Sequence, residues 1–175
     1  LSFSIRQPAS HSLFSFLFPL ALFANSPCKG VQNTNAFLPK IKISVLTDKT
    51  SVLPGEEFMF FVSLLIEEGW HIYSLYPVKG SESLATQIVI DEGVFQKQGT
   101  WKEPKPILIE DGAVGKMVKG HKGNVEFTKS FTVPIGVAAE SYFIKGKLIF
   151  RACDNQICTL PQEYPFKTAV RISRN

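Results

Sequence analysis

Charge of one sign is scarce in this sequence, and so are cysteine, histidine and long apolar runs. Of 175 residues 19% are charged, with 19 Lys and Arg against 15 Asp and Glu and a net charge of +4. The basic residues are scattered among acids and form no stripe, which excludes a nucleic-acid partner as the leading reading. Beyond the first 24 residues no run approaches the roughly 20 apolar residues that a membrane helix needs, so no transmembrane span is expected in the mature chain. No repeat marks a solenoid or propeller. No segment shows a convincing amphipathic helical period. Three Cys and three His are present. Zinc takes about four ligands; Cys153, Cys158, His71 and His121 would have to converge, and their spacing matches no standard site. No metal and no other cofactor is expected.

What the chain does have suits strands and turns. It is 45% hydrophobic with 15 Phe, 12 Gly and 11 Pro, enough for one domain with a real core. Residues 12–23 are apolar apart from two serines, with Arg6 before them and Ala24-Asn25-Ser26 after. That order is a secretory signal, too short to anchor, with cleavage after Ala24. Residues 1–24 are therefore read as a signal peptide, 25–37 as a linker and 38–175 as the folded domain. Cys28 follows Pro27, a poor fit to a lipidation site, so lipoprotein anchoring there is not expected. Export places the domain in an oxidising compartment where disulfides persist.

Several segments alternate in the period of a strand. Ile41, Ile43 and Val45 oppose Lys42 and Ser44; Val125, Phe127, Phe131 and Val133 oppose Glu126, Thr128, Ser130 and Thr132. Phe58 to Ile66 is nearly continuously apolar, as in a central strand covered on both faces. Gln87–Asp91, Tyr142–Ala152 and Tyr164–Ile172 complete the set. Residues 76–86 read as a loop, and after the Glu92-Gly93 turn comes a Pro- and Lys-rich section with Trp101, Pro104 and Pro106, to which no strand is assigned. Glu110–Gly123, with three more glycines inside it and no clear period, reads as a long mobile loop. Short strands joined by turn chemistry indicate an all-β, immunoglobulin-like β-sandwich of about seven to nine strands, with a barrel as second choice.

The chemistry centres on Phe150-Arg-Ala-Cys153-Asp-Asn-Gln-Ile-Cys158-Thr-Leu-Pro161. Asp154-Asn155 favours a turn, and a four-residue loop sets the two cysteines opposite each other on a hairpin, where Cα atoms lie about 4.5–5.5 Å apart, within disulfide reach. Ile144, Leu148, Phe150 and Ala152 share one face; Lys147, Ile149, Arg151 and Cys153 share the other, which places Cys153 on an accessible side. A bridge closing about six residues constrains the unfolded chain by only about 2 kcal/mol. A short staple and a redox pair are equally compatible with these residues. The motif is not the C-x-x-C at a helix N-terminus that acidifies a thiol, so the thiols should be only weakly acidic.

The cysteine hairpin resembles that of the N-terminal, periplasmic domain of DsbD-type thiol:disulfide interchange proteins. Glu68-Gly69-Trp70-His71-Ile72-Tyr73-Ser74 is similar to a strand of that domain, and Glu110-Asp111-Gly-Ala-Val-Gly115-Lys116 stands where the family has its cap loop. The resemblance covers about residues 38–173. It implies an immunoglobulin-like fold with Cys153 and Cys158 as the exchanging pair, Cys158 attacking the partner and Cys153 resolving. Asp154 and Asp111 would support or tune the thiols. Ala113-Val114 stand where the family's cap carries aromatics, leaving Tyr73, Tyr76 or Trp101 to shield the pair. The implied partners are thioredoxin-like periplasmic oxidoreductases and a membrane-linked electron donor, making the chain a component of a protein-disulfide reductase. Within these 175 residues no membrane or thioredoxin-like domain follows, which leaves a free-standing relay, a fragment and a repurposed fold all open. The alternative function is an immunoglobulin-like binding or structural domain whose disulfide only pins a hairpin.

Overall fold

In a computed structural model residues 39–174 are described, and the segments expected as signal peptide and linker, with Cys28, lie outside them. Among the described residues twelve strands form three four-stranded sheets. The first sheet runs β1 (Ile41–Thr47), β3 (Glu57–Ile66), β9 (Asn124–Thr132), β6 (Gln96–Lys102). The second runs β2 (Ser51–Val52), β12 (Gln162–Ile172), β10 (Ser141–Phe150), β5 (Gln87–Ile90). These two face each other and make the immunoglobulin-like sandwich. Alternation decides which side chains meet between them: Phe58, Phe60, Val62, Leu64, Phe127 and Phe131 from one sheet, Ile144, Leu148, Phe150, Phe166, Val170 and Ile172 from the other. The Phe60 and Phe166 rings lie 5.6 Å apart across the gap. Burying each such side chain contributes about 1.5–3 kcal/mol, and this layer holds the fold.

The third sheet runs β11 (Ala152–Cys153), β4 (His71–Tyr73), β8 (Lys116–His121), β7 (Ile107–Asp111). The chain leaves β10 at Phe150 and pairs afresh, Ala152 opposite Ile72 and Cys153 opposite His71. The cysteine-bearing strand is thus handed from the sandwich to a small sheet that serves the disulfide.

Three sequence expectations change. Glu110–Gly123 is no mobile loop but the turn and return strand of the β7–β8 hairpin, paired from Ile107 opposite Gly120 to Asp111 opposite Lys116. The Pro- and Lys-rich section around Trp101 contains β6, irregularly paired to β9 around Gln98–Lys102. In β3 only one face is buried; Leu65 on the other face is 45% exposed. A central position in the sheet saturates the backbone of β3 without covering its outer face.

Candidate functional site

Residues directly opposite in a sheet point to one face. His71 and Tyr73 alternate on β4, with Ile72 turned into the main core. Cys153 lies opposite His71, Val118 opposite Ile109, and Asp111 two residues on along β7. One face of the third sheet therefore collects Tyr73, Ile109, Val118 and Cys153 as a second buried cluster, with Leu84, Val114 and Cys158 packed on it.

The two cysteines are bonded, Cα atoms 4.1 Å apart, as the one isolated antiparallel bridge among the described residues. The hairpin closes on itself: Thr159 N–H donates to Ala152 O at 2.8 Å, and Ala152 N–H to Thr159 Oγ1 at 3.1 Å. Asp154 Oδ1 accepts from the backbone N–H of Gln156 at 2.6 Å and of Ile157 at 2.7 Å. Those two donors hold its carboxyl below the usual carboxylate range. Asp154 is thus a turn former in its geometry.

Around the sulfurs the polar groups are few and buried. Tyr73 O–H donates to Asp111 Oδ2 at 2.7 Å, and its oxygen lies 2.9 Å from Cys153 Sγ and 3.4 Å from Cys158 Sγ. A hydroxyl has one proton and a disulfide has none, so with the proton on Asp111 the sulfur contacts are close packing rather than hydrogen bonds. His71 Nε2 lies 3.1 Å from the same Oδ2. Asp111 Oδ1 accepts from Ala113 N–H at 2.9 Å, which fixes the carboxylate at the mouth of the turn. Burial raises the Tyr73 hydroxyl pKa, helped by the bond to Asp111. Burial also lowers His71 from its ordinary 6.5, against the pull of Asp111. The imidazole is then neutral near pH 7 and donates Nε2–H to Asp111.

Cys153 is fully buried, which corrects the expectation of an accessible side chain. The face was assigned rightly; the β7–β8 hairpin covers it. Cys158 is partly exposed, and Ile157 and Leu160 beside it are 45% and 78% exposed. The cover sits tightly. Gly112 N–H donates to Asn155 Oδ1 at 3.1 Å, and a methyl group at Gly112 would overlap Asn155 O. Lys116 Nζ donates to Gly80 O at 2.7 Å, tying the hairpin to the segment that carries Leu84. Of the three aromatics considered as shields, Tyr73 touches the sulfurs. Trp101 packs on Phe60, and Tyr76 O–H donates to Trp101 O. Val114 and Leu84 complete the cover.

His71 and His121 do not converge. His121 Nε2 lies 2.9 Å from Glu103 Oε2, a carboxylate that also accepts from Ser74 O–H at 2.5 Å and Leu75 N–H at 2.8 Å. Sequence reasoning missed Glu103, which stands in a Pro- and Lys-rich stretch with no pattern to mark it as buried. It also left His71 without Asp111 as its partner.

The family model described as "Thiol:disulfide interchange protein DsbD, N-terminal" matches residues 44–169. The chain belongs to this family of DsbD N-terminal domains. In fold it is similar to the crystal structure of the N-terminal periplasmic domain of ScsB from Proteus mirabilis, with TM-score 0.53 and 16% identity. That match covers 78% of this chain and 48% of the other, so the chain spans about half the length of the ScsB domain. No curated protein matches the chain in sequence. Among the described residues no helix is long and apolar enough to cross a membrane.

Proposed function

We propose that the domain is a periplasmic thiol-disulfide exchange module, exported by its first 24 residues. The Cys153/Cys158 pair passes reducing equivalents to thioredoxin-like oxidoreductases and is reduced in turn by a membrane-linked donor. The observation that carries this reading is the asymmetry of the pair: Cys158 is partly exposed beside the apolar Ile157 and Leu160, while Cys153 is buried behind it. In the reduced pair the Cys158 thiolate attacks one sulfur of the partner's disulfide and expels the other as a thiolate. A mixed disulfide joins the two proteins. Cys153, deprotonated, then attacks Cys158 Sγ, and the partner leaves as a dithiol. Two electrons move to the partner, and no cofactor takes part. Tyr73, which lies against Cys153 Sγ, and Asp111, which holds the Tyr73 hydroxyl, tune Cys153. Asp154 supports the pair by holding its turn.

The full burial of Cys153 favours a second reading, in which the bond is a staple. Trapping separates the two. A Cys153→Ser variant keeps the attacking thiol and loses the resolving one, so it should accumulate a mixed disulfide with a periplasmic thioredoxin-like protein, whereas Cys158→Ser should accumulate far less. If neither variant traps such a partner, exchange is wrong and the staple stands.

A further inference from the structure

His71 Nε2, a carboxylate oxygen of Asp111 and Cys153 Sγ all lie within 4.8 Å of one another, and all three residues are buried. His71 Nε2 and Asp111 Oδ2 are already 3.1 Å apart. Imidazole, carboxylate and thiolate are the donors of tetrahedral zinc-type sites, with bonds of about 2.0–2.3 Å that set neighbouring donors roughly 3.3–3.8 Å apart. A cation among the three would ask for shifts on the order of an ångström. Cys158 Sγ, also close to Tyr73 Oη, stands near enough to supply a fourth donor. While the sulfurs are bonded to each other they carry no charge and cannot both coordinate.

We propose that opening the Cys153–Cys158 bond turns this cluster into a site for a thiophilic divalent cation, held by Cys153, Cys158, His71 and Asp111. A dithiol reductant supplies two electrons and two protons, its own sulfurs closing into a disulfide. The cation then takes both sulfurs as thiolates and releases those two protons, while the His71 ring proton shifts from Nε2 to Nδ1 so that Nε2 can coordinate. The order reverses on reoxidation by a second disulfide: that disulfide takes the two electrons and leaves as a dithiol, the sulfurs of Cys153 and Cys158 rejoin and the cation is expelled.

The surroundings are already those of such a site. Ala113 N–H holds Asp111 Oδ1 at 2.9 Å, leaving Oδ2 to face the cluster, as an outer partner orients a ligating carboxylate. Two thiolates and a carboxylate buried together are costly without a compensating positive charge, and the cation supplies it. A cavity of about 120 Å³ bounded by Glu110, Lys122, Asp154 and Asn155 lies against His71, one of the four donors.

The site needs the bond to open but not that the pair exchange with a protein partner, so the two ideas fail separately. The test uses the full chain carrying Cys28→Ser, which removes the third thiol, reduced with a phosphine that does not bind metal. Zn²⁺ is titrated against a chromophoric chelator. The reduced protein should bind one Zn²⁺ per chain at least about tenfold more tightly than the oxidised protein, and His71→Gln or Asp111→Asn should weaken binding by about tenfold or more. Co²⁺ should give a tetrahedral, sulfur-to-metal spectrum in the reduced form alone. Where a variant fails to fold, the parent still decides: Zn²⁺ should slow alkylation of both Cys153 and Cys158. Equal Zn²⁺ affinity in the oxidised and reduced forms, or folded variants that bind as tightly as the parent, would overturn the proposal. Exchange assayed with a chelator present reads the other function on its own.

Discussion

The hydroxyl oxygen of Tyr73 stands 2.9 Å from Cys153 Sγ while its proton is given to Asp111. In the oxidised protein the sulfur has nothing to donate, and the chain of hydrogen bonds stops at Tyr73. Reduction brings a proton to Cys153. The S–H can then donate to Tyr73, Tyr73 to Asp111 Oδ2, and His71 to the same oxygen. The reduced site is the better satisfied of the two.

Tyr73→Phe keeps the ring in the cluster and removes the link. Asp111 Oδ2 retains His71 but loses its 2.7 Å partner. A buried acceptor left short of a donor costs about 1–3 kcal/mol. Urea denaturation of the oxidised variant should show a loss in that range, and more for the reduced form, which also loses its thiol acceptor.

Asp111→Asn removes a carboxylate that lies within 4.8 Å of Cys153 Sγ. A nearby negative charge disfavours the thiolate, as does burial. The pH midpoint for alkylation of Cys153, followed with Cys158→Ser to leave it the one thiol of the pair, should therefore move to lower pH in the Asn variant. A midpoint that stays where it was would show that Asp111 does not tune the sulfur.

Much of this fold can be read from the residues, because β1, β9, β10 and β12 are long enough for alternation to declare them and β3 is marked by its apolar run. The third sheet cannot. β4 has three residues, all buried, and three residues show no period. On β7 the inward positions are Ile109 and Asp111, while Ile107 and Leu108 are 48% and 65% exposed. A buried aspartate on the inward face hides the apolar pattern. Gly112 and Gly115 look like a flexible loop and instead make a tight turn, Gly115 at φ +66° donating to Asp111 O at 2.8 Å. Cys153 teaches the same lesson: alternation reports which face a side chain takes, not whether another hairpin lies over it. The cysteine motif itself was legible because its chemistry is local.

Gly112→Ala tests that cover. The added methyl meets Asn155 O, a backbone atom that cannot step aside cheaply. Overpacking of this kind costs about 1–3 kcal/mol. The hairpin should lift from the cysteine loop, and alkylation of reduced Cys153 should speed up relative to Cys158. Unchanged relative rates would mean that the β7–β8 turn is not what shields Cys153.

His71 sets a pH dependence. Its folded pKa is below 6.5, so above about pH 6.5 neither the folded nor the unfolded state binds the proton and stability is whole. As pH falls below 6.5 the unfolded chain takes up the proton first, and stability declines until the folded pKa is passed. Chemical denaturation between pH 8 and pH 5 should show this loss, and His71→Phe should flatten that part of the profile.

The most direct measurement is the reduction potential of the Cys153–Cys158 pair, found by equilibration with a dithiol couple of known potential. An exchanging pair is reducible by physiological donors, and the account predicts a value above about −300 mV. A value well below that would make the bond a permanent staple and contradict the proposed function.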